Sequence, residues 1–325
     1  MVAERGTHLA RTAAPRLGWS AGLLTALIAG CAQPPAPPTP SVTKASPAFV
    51  AAQQQWRQQR EAELRAPDGW TSLVGLHWLD QKAHYVGSGA GSGIRLAVGP
   101  ERLGLVRRDG DAWYFTPERG TAVDVAGVPL RGRIAFLDDQ QSSPTLLHFD
   151  QGRGQLSLIR RGERFALRVK HADARTRRDF AGLAYWPGGP TWRVPAHFIA
   201  HPPGRTLPVV DMVGQVTPLP NAGKVVFERA GTSFELEAIA APGAPLFLIF
   251  ADRSSGHGSY PAGRYLDVQV PAADGSVVLD FNRAYNPPCA FTAFATCPLP
   301  PPQNRLDLAV EAGERAYHQP PSAER

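Results

Sequence analysis

Beyond residue 70 the chain is organised in short runs in which apolar and polar positions alternate with a period of two. Runs over 73–79, 94–98, 103–107, 112–116, 122–125, 133–137, 146–150, 155–160 and 164–170 read as strands, as do later runs over 209–213, 224–229, 233–239, 246–251, 264–270 and 276–281. Gly, Pro, Asp and Asn separate them, at a spacing of roughly 8–15 residues, which is the pattern of a β-sandwich or barrel. Strands and helices do not alternate, so a doubly wound fold is not expected. Residues 171–208 are less regular and contain Pro187, Pro190, Pro195, Pro202, Pro203 and Pro208. They read either as a linker between two β halves or as a long excursion within one sheet system. No fixed-period repeat is present.

Before residue 70 the period is helical. Ser46 is a good N-cap and Pro47 suits the first helical position. Phe49, Ala52, Trp56 and Leu64 fall near one face among Gln, Arg and Glu, with Trp56 as a packing anchor. The helix is expected to stop before Pro67, with Asp68 and Gly69 in a turn. The expected fold is therefore mainly β: one large sandwich or barrel-like domain over 49–318, opened by an amphipathic helix and closed by a frayed tail over 319–325.

The first 30 residues follow another pattern. Arg5, Arg11 and Arg16 precede the apolar run LGWSAGLLTALIAG, which ends at Cys31. Fourteen residues suit a signal peptide and are short for a bilayer span. The sequence Leu27-Ile28-Ala29-Gly30-Cys31 resembles the lipobox of bacterial lipoproteins, which implies cleavage after Gly30 and lipid on the Cys31 thiol. Several acyl chains on one residue hold firmly to a membrane. Ala32 rather than Asp follows the cysteine, which by analogy with lipoprotein sorting favours the outer membrane, facing the periplasm. Residues 31–48 contain six prolines and form an extended spacer that would reach about 50 Å.

Composition narrows the function classes. The 32 glycines and 32 prolines make about a fifth of the 325 residues, below the level of low-complexity disorder. No apolar run reaches the roughly 20 residues of a membrane span. Removal of residues 1–30 leaves 31 basic and 27 acidic residues, a charge of +4, with the cations scattered. Nucleic acid is therefore not an expected partner. The run Gly87–Gly93 lacks the GxxxxGK[ST] and GxGxxG patterns and reads as a β–β loop. No serine sits in GxSxG, so a nucleophile elbow is absent. His197 and His201 are four apart, but Pro195, Pro202 and Pro203 oppose a helix there, and in a strand about 13 Å would separate them. No metal site and no cofactor is assigned.

Candidate chemistry gathers in 246–314. The continuous apolar run LFLIF leads into the polar loop Asp252-Arg253-Ser254-Ser255-Gly256-His257-Gly258-Ser259-Tyr260. Asp252 in such a loop also caps its own backbone N–H groups. Residues 282–304 form a long irregular stretch with six prolines, and irregular loops of that length usually carry function. Asp252, Ser255, His257, Tyr260, Arg264, Asp280, Asn282, Tyr285, Asn286 and Asn304 are the candidate contacts for a small polar ligand such as a glycan. Asp280, Glu311 and Glu314 are the candidate acid/base residues of the alternative reading, an envelope hydrolase. A purely structural envelope protein is the third. Cys289 and Cys297 remain once Cys31 is lipidated. An exported chain is expected to oxidise them to a disulfide that closes a nine-residue loop, with metal thiolates as the alternative.

The segments GWTSLVGLHWL, RDFAGLAYWP, FADRSSGHGSYPAGRYL and LDFNRAYNPPCAFTAFATCPLPPPQNRL, followed by EAGE, resemble the domain of unknown function 1684 family of bacteria and archaea. The resemblance extends over roughly 50–315 and is most specific in NPPC…CPLPP. It implies a shared β-rich domain and names no reaction. Ser255 and Ser259 stand where the family pattern has Thr, so the hydroxyls are kept. Family members that look non-exported carry both cysteines, which implies a thiol or metal role for Cys289 and Cys297 as the alternative to the disulfide.

Overall fold

The computed structural model describes residues 44–241 and 243–318. The signal peptide, Cys31, most of the spacer and the 319–325 tail lie outside the described residues. Helix α1 spans Pro47–Arg65, and Ser46 caps it by accepting a hydrogen bond from the Phe49 N–H at 3.1 Å. It ends at Ala66, before Pro67. Gly69 then returns the chain across the helix end so closely that a Cβ there would collide with the Glu63 carbonyl. The docking face differs from the apolar stripe expected. Ala52 is exposed and Gln53 and Leu64 are the buried positions, because the helix meets a polar part of the protein. No helix among the described residues is long and apolar enough to cross a membrane.

The fold is mainly β. Residues 73–171 form two sheets over one core. One sheet has the order Leu73–Trp78, Arg164–His171, Gly154–Arg161, Leu146–Phe149, Val123–Val125, Val128–Pro129. The other runs Ile94–Arg95, Ala83–Gly87, Gly104–Asp109, Ala112–Pro117, Ile134–Ala135. Alternate residues of both, among them Val106, Phe115, Leu147, Phe149, Leu156 and Leu167, fill the space between. Gly162, at φ +60°, opens a two-residue turn that carries Arg161 back to Arg164, a conformation that suits the twist of a hairpin.

Residues 193–280 build a seven-stranded curled sheet. Its order is Arg264–Val268, Leu246–Phe250, Thr232–Ile239, Val216–Arg229, Arg193–Ala200, Ser276–Asp280, with Thr206–Val210 added to the long fourth strand. Its concave face closes on Val225, Phe227, Leu236, Leu248, Phe250, Leu279 and Phe281. A third cluster, with Leu73, Leu207, Ile249, Tyr265 and Cys297, ties the two halves together.

Several strand expectations change: the strand read as 224–229 begins at Val216, and Val128–Pro129 adds a short strand the sequence reading lacks. Residues 193–200, assigned to the irregular middle, form a strand paired on both sides, so His197 sits at a register position opposite Val226 and Ser276. The run read as 209–213 is a strand over 206–210, because Asp211 accepts from the Val213 and Gln215 N–H groups and turns the chain. Strand 83–87, absent from the sequence reading, is short and contributes only Val86 to the apolar core.

Candidate functional site

The loop after Leu246–Phe250 is held from within. Asp252 Oδ1 accepts from the Ser254 N–H at 2.8 Å and the Val310 N–H at 3.0 Å, and Oδ2 binds Arg264 at 2.9 Å. Arg264 has no exposed surface, and it also donates to the carbonyls of Val310, Ala312 and Glu314. Ser255 Oγ accepts from the Asp252 N–H. Asp252 and Arg264 are thus a buried ion pair that clamps the returning segment 308–314.

The other polar candidates work the same way. Glu314 is fully buried, takes Arg60 of helix α1 at 2.9 Å and accepts from the Asn286 N–H at 2.8 Å. Burial pushes its carboxyl above the usual range, and Arg60 opposes that shift. Asn286 donates to the Arg315 carbonyl. Asn282 brackets Gly189, accepting from its N–H and donating to its carbonyl. Asp280 caps the turn Phe281–Arg283 and accepts from Gln53 of the helix at 3.0 Å. Asn304 plugs the place where two neighbouring strands diverge. It accepts from the Glu237 N–H at 2.7 Å and donates to the carbonyls of Glu237 and Ile249.

These contacts show where the sequence candidates sit. Asp252, Arg264, Asn282, Asn286 and Asn304 are less than a tenth exposed and engaged with backbone, so they hold the frame. The carboxylates Asp280, Glu311 and Glu314 are not gathered around a shared opening: Glu314 is sealed, Glu311 is exposed, and Asp280 is bound into a cap. His257 is exposed, and Tyr260 is half-buried, with burial raising its hydroxyl pKa. Cys289 and Cys297 are joined as a disulfide with Cα atoms 6.1 Å apart. Among the described residues no three His, Cys, Asp or Glu side chains gather as a metal site.

Tyr285 stands apart from the frame. Its backbone pairs with Tyr265 in both directions at 2.9 Å, which fixes it beside Asp267 of the strand Arg264–Val268. There it lines a cleft of 340 Å³ together with Trp56, Gln59, Arg60 and Glu63 of the helix, Trp70 and Asp267. Trp56, Trp70 and Tyr285 are half-buried, and Gln59, Glu63 and Asp267 are exposed. A neighbouring hollow of 320 Å³ shares Arg60, Glu63 and Trp70 and adds Asp68 and Lys170, whose Nζ lies 5.1 Å from the Trp70 ring centre. Arg60 lies 4.8 Å over the Tyr285 ring, so the Glu314 ion pair also positions the cleft wall. Burial, and then the Asp267 charge, pushes the Tyr285 hydroxyl up, so it remains a protonated donor. Of the ten sequence-level ligand candidates, Tyr285 is the one in this cleft. A lone Trp on a polar helix was the available signal for the rest. Nothing local marks Glu63 or Asp267.

Fold and site together define a β-sheet protein with a buried polar frame and an aromatic, acidic cleft. Over residues 178–315 the chain matches the family described as protein of unknown function DUF1684, and through that stretch it belongs to the family. The match covers the second half of the 50–315 reach of the resemblance. A solution NMR structure of an uncharacterized protein from Haloarcula marismortui is 35% identical over 43% of this chain and 78% of that one, with a TM-score of 0.36. None of the curated proteins matches the chain.

Proposed function

We propose that the chain is an envelope lipoprotein, held to the outer membrane by lipid on Cys31, that binds a glycan in the cleft between helix α1 and the segment around Tyr285. The observation that carries the reading is the gathering of Trp56, Trp70 and Tyr285 with Gln59, Glu63 and Asp267 around one opening. A sugar ring has apolar C–H faces and hydroxyl edges. Half-exposed aromatic rings take the faces, and carboxylates and amides take the hydroxyls. The 252–314 segment contributes Tyr285 and Asp267 to this opening, while its buried polar residues hold the opening in shape.

The test is calorimetric titration of the full chain with soluble peptidoglycan strands and neutral oligosaccharides. Saturable binding is expected with one of them. Trp70→Ala and Asp267→Asn are expected to weaken it about tenfold each, since a ring-face contact and a hydrogen bond to a carboxylate are each worth about that much. Asp267 is exposed, so its variant leaves folding intact. Absence of binding to every glycan, or wild-type affinity in both variants, defeats the reading. A second reading is hydrolysis, favoured by Glu63 and Asp267 lining one cleft. Release of reducing ends by the wild type and its loss in Glu63→Gln would mark it. The anchor is tested separately: Cys31→Ser is expected to abolish incorporation of labelled palmitate and release the protein from membranes.

A further inference from the structure

The cleft between helix α1 and Tyr285 is lined by two carboxylates, Glu63 and Asp267, and one cation, Arg60. The cation is spent. Arg60 donates through Nε to the sealed Glu314 carboxylate at 2.9 Å and through Nη2 to the Asn286 carbonyl at 2.9 Å, so the pair adds no net charge. Glu63 and Asp267 are exposed, and neither forms an ion pair among the described residues. Their nearest partners are neutral: the Gln59 amide at 3.0 Å from Glu63, and the Tyr285 hydroxyl beside Asp267. The opening therefore carries two uncompensated negative charges.

The cations nearby do not answer them. Lys170 lines the neighbouring hollow, where its Nζ donates to the Asp68 carbonyl at 2.5 Å and the Asp68 charge faces it. Arg168 lies 5.5 Å from the Trp70 ring centre and lines neither opening. The aromatic walls meanwhile already work as seats for cations, with Arg60 over Tyr285 and Lys170 over Trp70. Trp56 meets the Tyr185 ring at 6.3 Å and near right angles, and has no cation over it among the described residues. Ring faces attract cations through their quadrupole, and ionised carboxylates only accept hydrogen bonds. An ammonium group suits both, because it brings the missing charge and three donors.

We propose that the glycan taken by this cleft is an amino sugar with a free, protonated amine, held by Glu63 and Asp267 against the aromatic wall. The inference rests on the glycan cleft and narrows its ligand. An N-acetylated ring offers the same C–H faces and hydroxyls to Trp56, Trp70 and Tyr285. It replaces the ammonium by an uncharged amide with one N–H, which leaves the two carboxylates uncompensated.

The experiment is calorimetric titration of the full chain with a β-1,4-linked glucosamine tetramer and with its fully N-acetylated counterpart. It is run in dilute salt at about pH 6, below the ordinary range of an alkyl amine adjoining polar groups. Both tetramers are expected to bind saturably, the free amine at least about tenfold more tightly, as a charged hydrogen bond is stronger than a neutral one. The difference is expected to shrink in about 1 M salt, where the Debye length is about 3 Å. Glu63→Gln/Asp267→Asn changes two exposed side chains, and is expected to bind the two tetramers alike. Equal or tighter binding of the N-acetylated tetramer, or a preference that survives in the double variant, overturns the proposal and leaves the glycan cleft standing. Binding of choline as tight as that of the amine tetramer makes a small free cation the ligand and also overturns it. Binding of neither tetramer defeats the cleft and the inference together.

Discussion

Replacing Arg264 by methionine tests whether the candidate residues after strand Leu246–Phe250 are frame or ligand contacts. Methionine keeps most of the apolar stem and removes the guanidinium. The variant strips Asp252 of its partner at 2.9 Å, and takes the donor from the Val310 carbonyl at 2.7 Å and the Glu314 carbonyl at 3.2 Å. Both members of the pair have essentially no exposed side-chain surface, so water does not replace the lost bonds. Breaking one half of such a pair costs about 3–5 kcal/mol. That is about a fifth or more of the stability of an ordinary domain. Asp252→Asn alone leaves the guanidinium buried and uncompensated, at a similar cost. The double variant Asp252→Asn/Arg264→Met removes both charges, so it is expected to lose clearly less than the sum of the singles. Urea unfolding followed by tryptophan fluorescence reads the cycle, and amide exchange in 305–316 reports whether the clamp on the returning segment has opened. A loss below about 1 kcal/mol in Arg264→Met, or strict additivity in the double variant, refutes the argument. A ligand contact would behave differently, lowering affinity while leaving the urea midpoint in place.

Reduction of Cys289–Cys297 releases a nine-residue loop, and the chain-entropy relation puts the cost at roughly 2.6 kcal/mol; a lower urea midpoint with reductant and in Cys289→Ser/Cys297→Ser checks it. Asn304→Ala leaves the backbone groups of Glu237 and Ile249 without partners, and a destabilisation of about 2–4 kcal/mol is expected in the same assay. Burial raises the Glu237 carboxyl, but hydrogen bonds from Asn221 and His201, each at 2.8 Å, hold it below its ordinary value of 4.5 in the folded state. Its contribution is therefore fully present above pH 4.5 and fades as pH falls through the folded pKa. Stability measured against pH is expected to show a shallower acid limb in Glu237→Gln than in the wild type, and identical limbs would count against the His201–Glu237–Asn221 network.

Short-range physics made much of the fold legible. Ser46 and Pro47 set the start of helix α1 because capping and a fixed proline φ act within one turn, and Pro67 closed it for the same reason. Alternation placed most strands of the three sheets, since the side-chain period is a property of the strand itself. It failed where neighbours decide. Pro195 lies inside the strand Arg193–Ala200, and Pro208 and Pro218 face each other across Thr206–Val210 and its partner. Only the pairing of the adjacent strands shows that their missing N–H groups are tolerated.

The candidate chemistry divides along the same line. Asp, Asn and Arg in an irregular stretch are equally able to hold a ligand or to hold the chain. The composition of 252–314 contains no term that separates these uses. The segment 308–314 folds back over Arg264 and Asp252, and helix α1 delivers Gln53 and Arg60 to Asp280 and Glu314; burial by these distant pieces turns the polar cluster into frame. The cleft arises by the opposite route. Trp56, Trp70, Asp267 and Tyr285 are ordinary residues in their local surroundings and become a site only because a helix, a turn and a strand edge meet there. Local patterning is written in neighbours along the chain, whereas desolvation and the convergence of side chains depend on which remote surfaces come to rest against one another.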